Sequence, residues 1–402
     1  MILVKLNQFR DCNILLIAHQ ERCETIRTLE NEGLTEKVMG LLEAVDPCLR
    51  AYIEPYVFES EKYTNYFEQY KRQKITNTVN SEFIDKVREY AASKGLWWEL
   101  CSRNKLIDDA YDKGQGTLII WIDALGIEYL SLISFMLRER HQGVYYKIGI
   151  GYANIPTITE FNKDYLQGRS SLAFRELDEL KHKGEYPEYI IKEFTLIEKA
   201  LRQAVEKLQE YEKVIITADH GASRLAVIAL THTHKAKEGA VVLRHGRYCE
   251  DNQNDYGGDI SGCVDKDQYH VFADYDRFSI QGNVTGEIHG GASLEEVLVP
   301  VIELSKRPFD AGLAITVLTP EIKLRAGQKV RIKFQIDRDF DRLQAEVGSK
   351  IYLCVRDIDC WYFEPEVDRN ITDYKAKLLH KGRLLGSIQY KIQKGITSKL
   401  DI

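Results

Sequence analysis

Paired cysteines are what this sequence most visibly lacks. Its eight cysteines (Cys12, Cys23, Cys48, Cys101, Cys249, Cys263, Cys354 and Cys360) are scattered, and no two form a Cys-x-x-Cys pair. Their spacing carries no zinc-ribbon pattern. A disulfide framework is the weaker reading in a chain of 402 residues without an export signal, so reduced thiols in a cytoplasmic protein are expected. Long apolar runs are missing as well. Thr117 to Ile122 and Val297 to Ile302 are strand-length and far short of a membrane span, so no membrane partner is expected. Met1 to Cys12 mix Lys and Arg with apolar residues and show no apolar signal-peptide core or small-residue cleavage site. Positive charge is not in excess either: 55 Lys and Arg face 61 Asp and Glu, for a net charge of −6. The whole chain therefore has no basic field to draw it onto nucleic acid, although a local basic groove remains open.

What is present is apolar material for substantial cores, at 44% of residues, in a length that suits two or three domains. From Met1 to Lys113 the text reads as helical. Ile26, Leu29, Leu34, Val38, Leu41 and Leu42 recur at three and four positions, and only Pro47 and Pro55 interrupt. This part is read as a helical accessory or docking region, residues 1–113.

Composition changes at Lys113-Gly114-Gln115-Gly116. TLIIWIDALG then gives a strand ending in Asp123, followed by helix-like Ile127 to Arg140, the opening of an α/β unit. KIGIGYANIPTITEFN reads as a strand leading through a turn into a helix. An amphipathic helix from Ile190 to Glu210 delivers the chain to KVIITADHGASRL, a second buried strand with its acidic residue at the far end. Such alternation predicts an α/β fold with a central, mostly parallel sheet flanked by helices. In such sheets ligands bind beyond the carboxyl ends of the strands, where Asp123 and Asp219 fall. Val241 to Thr285, rich in Gly, Asp, Asn and Tyr, reads as an irregular insertion, and GEIHGGASLEEVLVPVIEL as a turn, a short helix and a strand. After Lys306-Arg307-Pro308, alternating segments such as AITVLT and KVRIKFQI suggest short strands. The expected division is 1–113 helical, 114–308 catalytic α/β, and 309–402 a small C-terminal β-sandwich.

The strongest chemical signal is Asp219-His220-Gly221. A carboxylate and an imidazole adjacent at a strand end, followed by glycine, can ligate metal from one tight turn. His289 before a second glycine turn and Asp123 at another strand end add to it, and this oxygen and nitrogen mix suits Zn or Mn.

VIITADHGASRL followed by HGGASLEEVLVPVI resembles the PglZ domain, a branch of the alkaline phosphatase superfamily found in BREX phage-defence systems and in some bacterial response regulators. The resemblance runs from about Thr117 to Leu304 and speaks for neither flank. It implies two divalent metal ions held by an early strand-end Asp, a later Asp-His pair, an Asp-xxx-His motif and a late His. Asp123 matches the first, Asp219 and His220 the pair, and His289 the last. Asp178 and His182 in LDELKHKG supply the Asp-xxx-His spacing, which on a helix places both side chains on one face. Without the resemblance LDELKH reads as a solvated helix. With it, one ion would have Asp178, His182 and His289, and the other Asp123, Asp219 and His220.

The nucleophile should lie in ANIPTITEFNKDY, which reads as entering a helix after proline, where free N–H groups and the dipole favour an anion. Two threonines compete. Thr157 with Glu160 spells a T-x-x-E capping box, a sufficient structural role. Thr159 matches the threonine of the PglZ pattern and is expected to attack phosphorus, activated by metal. Arg224 and Lys163 read as exposed cations rather than phosphate contacts. His232, His234 and His245, with Lys235, Lys237 and Arg244, read as a solvated loop that could meet a polyanion, not as a third metal site.

The expected activity is a metal-dependent phosphodiesterase acting on a nucleotide or oligonucleotide, in phage defence or bacterial signalling. A Cys-type sulfatase is disfavoured because no cysteine has a proline two residues later. A phosphomonoesterase or phosphoprotein phosphatase is the nearest alternative. A metal-binding scaffold, with the flanks docking protein partners of a defence complex, is the alternative of another class.

Overall fold

The computed structural model describes residues 18–93, 99–112, 116–141, 143–229, 232–236, 238–251, 260–278, 284–307, 313–324, 329–340, 342–348, 350–367, 372–380 and 383–394. The composition change at 113–115, Lys237 and the segment 308–312 lie outside these. The chain forms two compact units, one of residues 1–56, 62–144 and 148–306, the other of 57–61, 145–147 and 307–402.

Among the described residues before Thr117 the chain is largely helical, as its periodicity predicts. Helices span His19–Glu32, Glu36–Val45, Pro47–Ile53, Glu61–Thr76, Ser81–Ala92 and Arg103–Ala110. Four of them start where a side chain satisfies an orphaned N–H: Thr35 accepts from Val38, Asp46 from Leu49, Asn80 from Phe83 and Ser102 from Lys105. Pro47 sits at the first helical position, where its missing N–H is harmless. The aromatic face Tyr63, Tyr66, Phe67 and Tyr70 is buried.

A five-stranded sheet occupies the centre of the first unit. Its strands are β1 (Thr117–Ile122), β2 (Tyr145–Tyr152), β3 (Ser171–Phe174), β4 (Lys213–Thr217) and β5 (Leu298–Ser305), in the order β2-β5-β4-β1-β3. β1 runs parallel to both β3 and β4, while β5 is antiparallel to β4. Every residue of β1 and β5 is buried, which is why both read as largely apolar runs, with Glu303 and Ser305 the polar residues near the end of β5. The helix Glu188–Lys207 covers the sheet with a buried face including Ile190, Phe194, Ile197 and Leu201. Asp123 and Asp219 follow the carboxyl ends of neighbouring β1 and β4.

The stretch Val241–Thr285, expected to be irregular, contains an ordered four-stranded antiparallel sheet of Val241–Leu243, Tyr248–Glu250, Tyr269–Phe272 and Cys263–Lys266. Its strands are too short for a period of two to stand out against their Gly and Asp content. In the second unit, two sheets between Ile315 and Lys394 share one apolar core. Phe334, Trp361 and Phe363 of one sheet and Ala376, Leu378, Ile388 and Tyr390 of the other contribute to it. Among the described residues no helix is long and apolar enough to cross a membrane.

Candidate metal centre

Three turns and one helix bring six side chains together. The turn after β1 carries Asp123 and then Ala124, whose φ of 62° is left-handed. Beside it runs the turn Asp219-His220-Gly221 after β4. A Cβ on Gly221 would collide with the Glu295 carbonyl oxygen, so only glycine lets this turn pack there. Asp219 Oδ1 accepts from its neighbour His220 N (3.0 Å) and from Ala124 N (3.3 Å), tying both turns together. The helix Glu176–Lys183 presents Asp178 and His182 one turn apart. His289 comes from the turn before β5.

The result is two triads. In the first, His182 Nε2 and His289 Nε2 are 3.0 Å apart, and Asp178 Oδ1 lies 3.4 and 3.6 Å from them. In the second, His220 Nε2 is 3.5 Å from Asp219 Oδ2 and 3.7 Å from Asp123 Oδ1. The His220 and His289 rings stack at 4.0 Å, so the triads adjoin. Among the described residues these are the two groups whose ligand atoms all lie within 4.8 Å of one another. His220 Nδ1 donates to the Gly221 carbonyl (3.0 Å) and His289 Nδ1 to the Thr157 carbonyl (2.8 Å). Both Nε2 lone pairs are thereby turned into the site, the usual second-shell arrangement of metal-ligating histidines.

Burial sets the charge states. It pushes the His220 imidazolium down to about 3, and lowers His289 too, helped by neighbouring His220 and His182. Burial, with the nearby Asp219 and Asp178 carboxylates, raises Asp123 well above the carboxylate range, and burial raises Asp178. Asp123 Oδ1, Asp178 Oδ1 and Asp219 Oδ2 are buried and make no hydrogen bond. Orphaned carboxylate oxygens facing neutral imidazoles fit divalent cations, and Zn or Mn suits the donor set.

Thr159 Oγ1 lies 3.3 Å from His220 Nε2, at the second triad. The helix expected there is only a three-residue 3-10 turn, Thr159–Phe161, with no side-chain cap. The capping box of Thr157 and Glu160 does not form. Thr157 is fully buried instead, donating from Oγ1 to the Gly291 carbonyl (2.7 Å) and accepting from Gly290 N (3.0 Å). It holds the His289 turn, while Glu160 faces Arg244 at 3.6 Å. Arg224, expected to be exposed, is 5% exposed and donates to the carbonyls of Thr285 and Gly286 and to Asn77 Oδ1. Its long stem let it be used inside, which exposure propensity does not reveal. Lys163 is exposed and lies over the Trp121 ring at 5.2 Å. His234 Nε2 and His232 Nδ1 approach Asp276 Oδ2 at 2.9 and 3.7 Å, and form no third ligand group.

Sequence reasoning missed the layer beneath the triads. Lys74 Nζ is fully buried, 3.2 Å from Glu128, 3.2 Å from Glu193 and 2.5 Å from Glu287. Lys181 adds contacts of 2.7 Å to Glu287 and 3.4 Å to Glu128. Tyr52 and Tyr66 donate to Glu128 and Glu295, each at 2.6 Å. Arg103, 1% exposed, donates to the Asp219 carbonyl at 2.8 Å and lies over the Tyr165 ring. Nothing in a Lys- and Glu-rich helix text marks which cations turn inward.

Residues 175–304 match the PglZ family, described as a BREX system PglZ alkaline phosphatase-like domain. No curated protein matches the chain. Among solved structures, the crystal structure of apo-expansin from Clavibacter michiganensis is 15% identical, over 30% of this chain and 60% of its own, with a TM-score of 0.15. That likeness is too slight to inform the fold.

Proposed function

We propose, from the match of residues 175–304 to the PglZ alkaline phosphatase-like domain, that this chain is a two-metal phosphodiesterase acting on nucleotide or oligonucleotide esters in the cytoplasm. The observation that carries the reading is the pair of triads, each with an orphaned buried carboxylate oxygen, beside the Thr159 hydroxyl. Asp178, His182 and His289 would hold one ion, and Asp123, Asp219 and His220 the other. A divalent ion, Zn or Mn, supplies Lewis-acid stabilisation of phosphoryl charge and lowers the pKa of an attacking oxygen.

The chain's own residues do the rest. Thr159 Oγ1 attacks phosphorus in line, forming a phosphothreonine ester as the P–O bond to the leaving alcohol breaks. Water then cleaves that ester and restores the hydroxyl. His220 and His289 stay neutral because burial disfavours their charged forms and their Nδ1–H groups are committed to carbonyls. Thr157 keeps His289 in register through the Gly290-Gly291 turn. The BREX description of the family supports protein partners in a defence complex, which the N-terminal helices and the C-terminal sheets, outside the matched residues, would dock.

The test is hydrolysis of bis-p-nitrophenyl phosphate after chelation and reloading with Zn or Mn, alongside Thr159→Ala. Metal-dependent turnover that vanishes in the variant is expected. Turnover surviving in Thr159→Ala would sink the threonine nucleophile. A loaded protein that cleaves p-nitrophenyl phosphate but no diester would be a monoesterase, and one that cleaves neither would be the scaffold.

A further inference from the structure

The rim of the site is built by the four-stranded sheet of the insertion, and one of its arginines is held in an unusual way. Arg244, His245 and Gly246 have φ of 45°, 54° and 84°, three successive left-handed residues of which only one is glycine. Backbone in this state is kept only where its surroundings demand it. Here the demand is proximity to the site. A Cβ on Gly290, the residue after His289, would meet Arg244 Cβ at 2.8 Å and Tyr248 Cδ1 at 3.3 Å. The ion pair of Arg244, to Glu160 at 3.6 Å, is loose and half in solvent, so it can be exchanged for a stronger anion.

Next to Glu160 is Phe161, one of few exposed large apolar side chains, at 36%. A lone exposed phenylalanine needs no function. What marks this one is its company: its ring lies 5.1 Å from Tyr269, which in turn lies 6.0 Å from Tyr248 against Gly290. An aromatic edge thus runs from the His289 turn to two residues beyond Thr159. In-line attack by Thr159 sends the leaving oxygen away from its own side. Side chains flanking Thr159 therefore meet the groups that stay on phosphorus, and only a diester keeps an organic group there.

We infer that Arg244, Tyr269 and Phe161 form the recognition edge for the retained part of the substrate, Arg244 taking a non-bridging phosphoryl oxygen and the Phe161–Tyr269 pair packing against a planar, nucleobase-like ester group. This assignment rests on the phosphodiesterase reading for its substrate, but it is tested by binding as well as turnover. The first measurement compares kcat/KM for the p-nitrophenyl ester of thymidine 5′-phosphate with that for methyl p-nitrophenyl phosphate, which share a leaving group. Phe161→Ala is expected to lower that ratio about tenfold, as loss of one base–aromatic contact would, and Phe161→Tyr to preserve it. The second titrates the zinc-loaded full chain with inorganic phosphate by calorimetry. Arg244→Ala is expected to weaken binding about tenfold, with part recovered in Arg244→Lys. An unchanged ratio in Phe161→Ala, or unchanged phosphate affinity in Arg244→Ala, would overturn the assignment. If the wild type cleaves neither diester, the phosphodiesterase reading fails. The preference for thymidine 5′-phosphate over inorganic phosphate, lost or kept in Phe161→Ala, then decides the edge on binding alone.

Discussion

Asp178, Lys181 and His182 stand on one short helix, and Glu287 and His289 on one turn, yet these neighbours serve two different clusters of buried charge. In the lower cluster three carboxylates, Glu128, Glu193 and Glu287, are answered by two ammonium groups, Lys74 and Lys181. Burial drives the Glu287 carboxyl up, but Lys181 and Lys74 outweigh it and hold it at about 2. Burial wins at Glu193, which is raised to about 7. In the upper cluster Asp123, Asp178 and Asp219 have, among the described residues, only histidines as ion-pair partners, and burial keeps His220 and His289 neutral. A buried charge needs a counter-charge. The protein supplies it to the lower cluster, whereas on the proposed reading a divalent cation would supply it to the upper one.

The sharpest way to break that contrast is to remove one charge from each cluster in metal-free protein. Lys74→Met leaves buried carboxylates uncompensated and is expected to cost about 3–5 kcal/mol in urea denaturation. A cost under about 1 kcal/mol would show that the lower cluster is not closed by Lys74. Asp219→Asn, which relieves crowding, should leave metal-free stability nearly unchanged. It should remove the part of the zinc gain owed to the second triad, about 2.7 kcal/mol at a hundredfold excess over that site's Kd, and leave the part owed to the first. An Asp219→Asn protein stabilised by zinc as much as wild type would refute the triad as a metal site.

Thr157→Val probes the join between the turn and the triads. It strands Gly290 N and the Gly291 carbonyl and is expected to cost about 1–2 kcal/mol, with weaker zinc binding through a misplaced His289. The last effect is one of pH. Because the folded Glu193 carboxyl is raised from its ordinary 4.5 to about 7, it binds its proton more tightly than the unfolded chain does. Its contribution is full below pH 4.5 and declines as pH rises through 7, by at most about 1.4 kcal/mol per unit. Glu193→Gln should flatten the stability profile across that window. An unchanged slope would assign it to other groups.

Much of the architecture was legible because it rests on local chemistry. The strand runs ending in Asp123 and Asp219, the i, i+4 pair Asp178 and His182, and the glycine turns at His220 and His289 are all visible in the text. What was misjudged depended on distant partners. Thr157 reads as a cap because Glu160 follows, but Gly290 and Gly291, far along the chain, claim its hydroxyl. Arg224 reads as solvated because its neighbours do not disclose the carbonyls of Thr285 and Gly286. Lys74 sits in YKRQKIT, where Lys71 and Lys74 turn inward and Arg72 does not, and nothing in the text separates them.

By itself, then, the sequence determined where strands end, which glycines turn, and which residues carry metal-ligating chemistry, since backbone propensity and side-chain type act over a few residues. Only the tertiary structure decided which charges are paired. Compensation inside a low-dielectric core depends on distances of about 3 Å between segments up to 213 residues apart, as in Lys74 and Glu287. A closed cluster below and an open one above cannot be told apart in a string that shows where each carboxylate stands but not which group faces it.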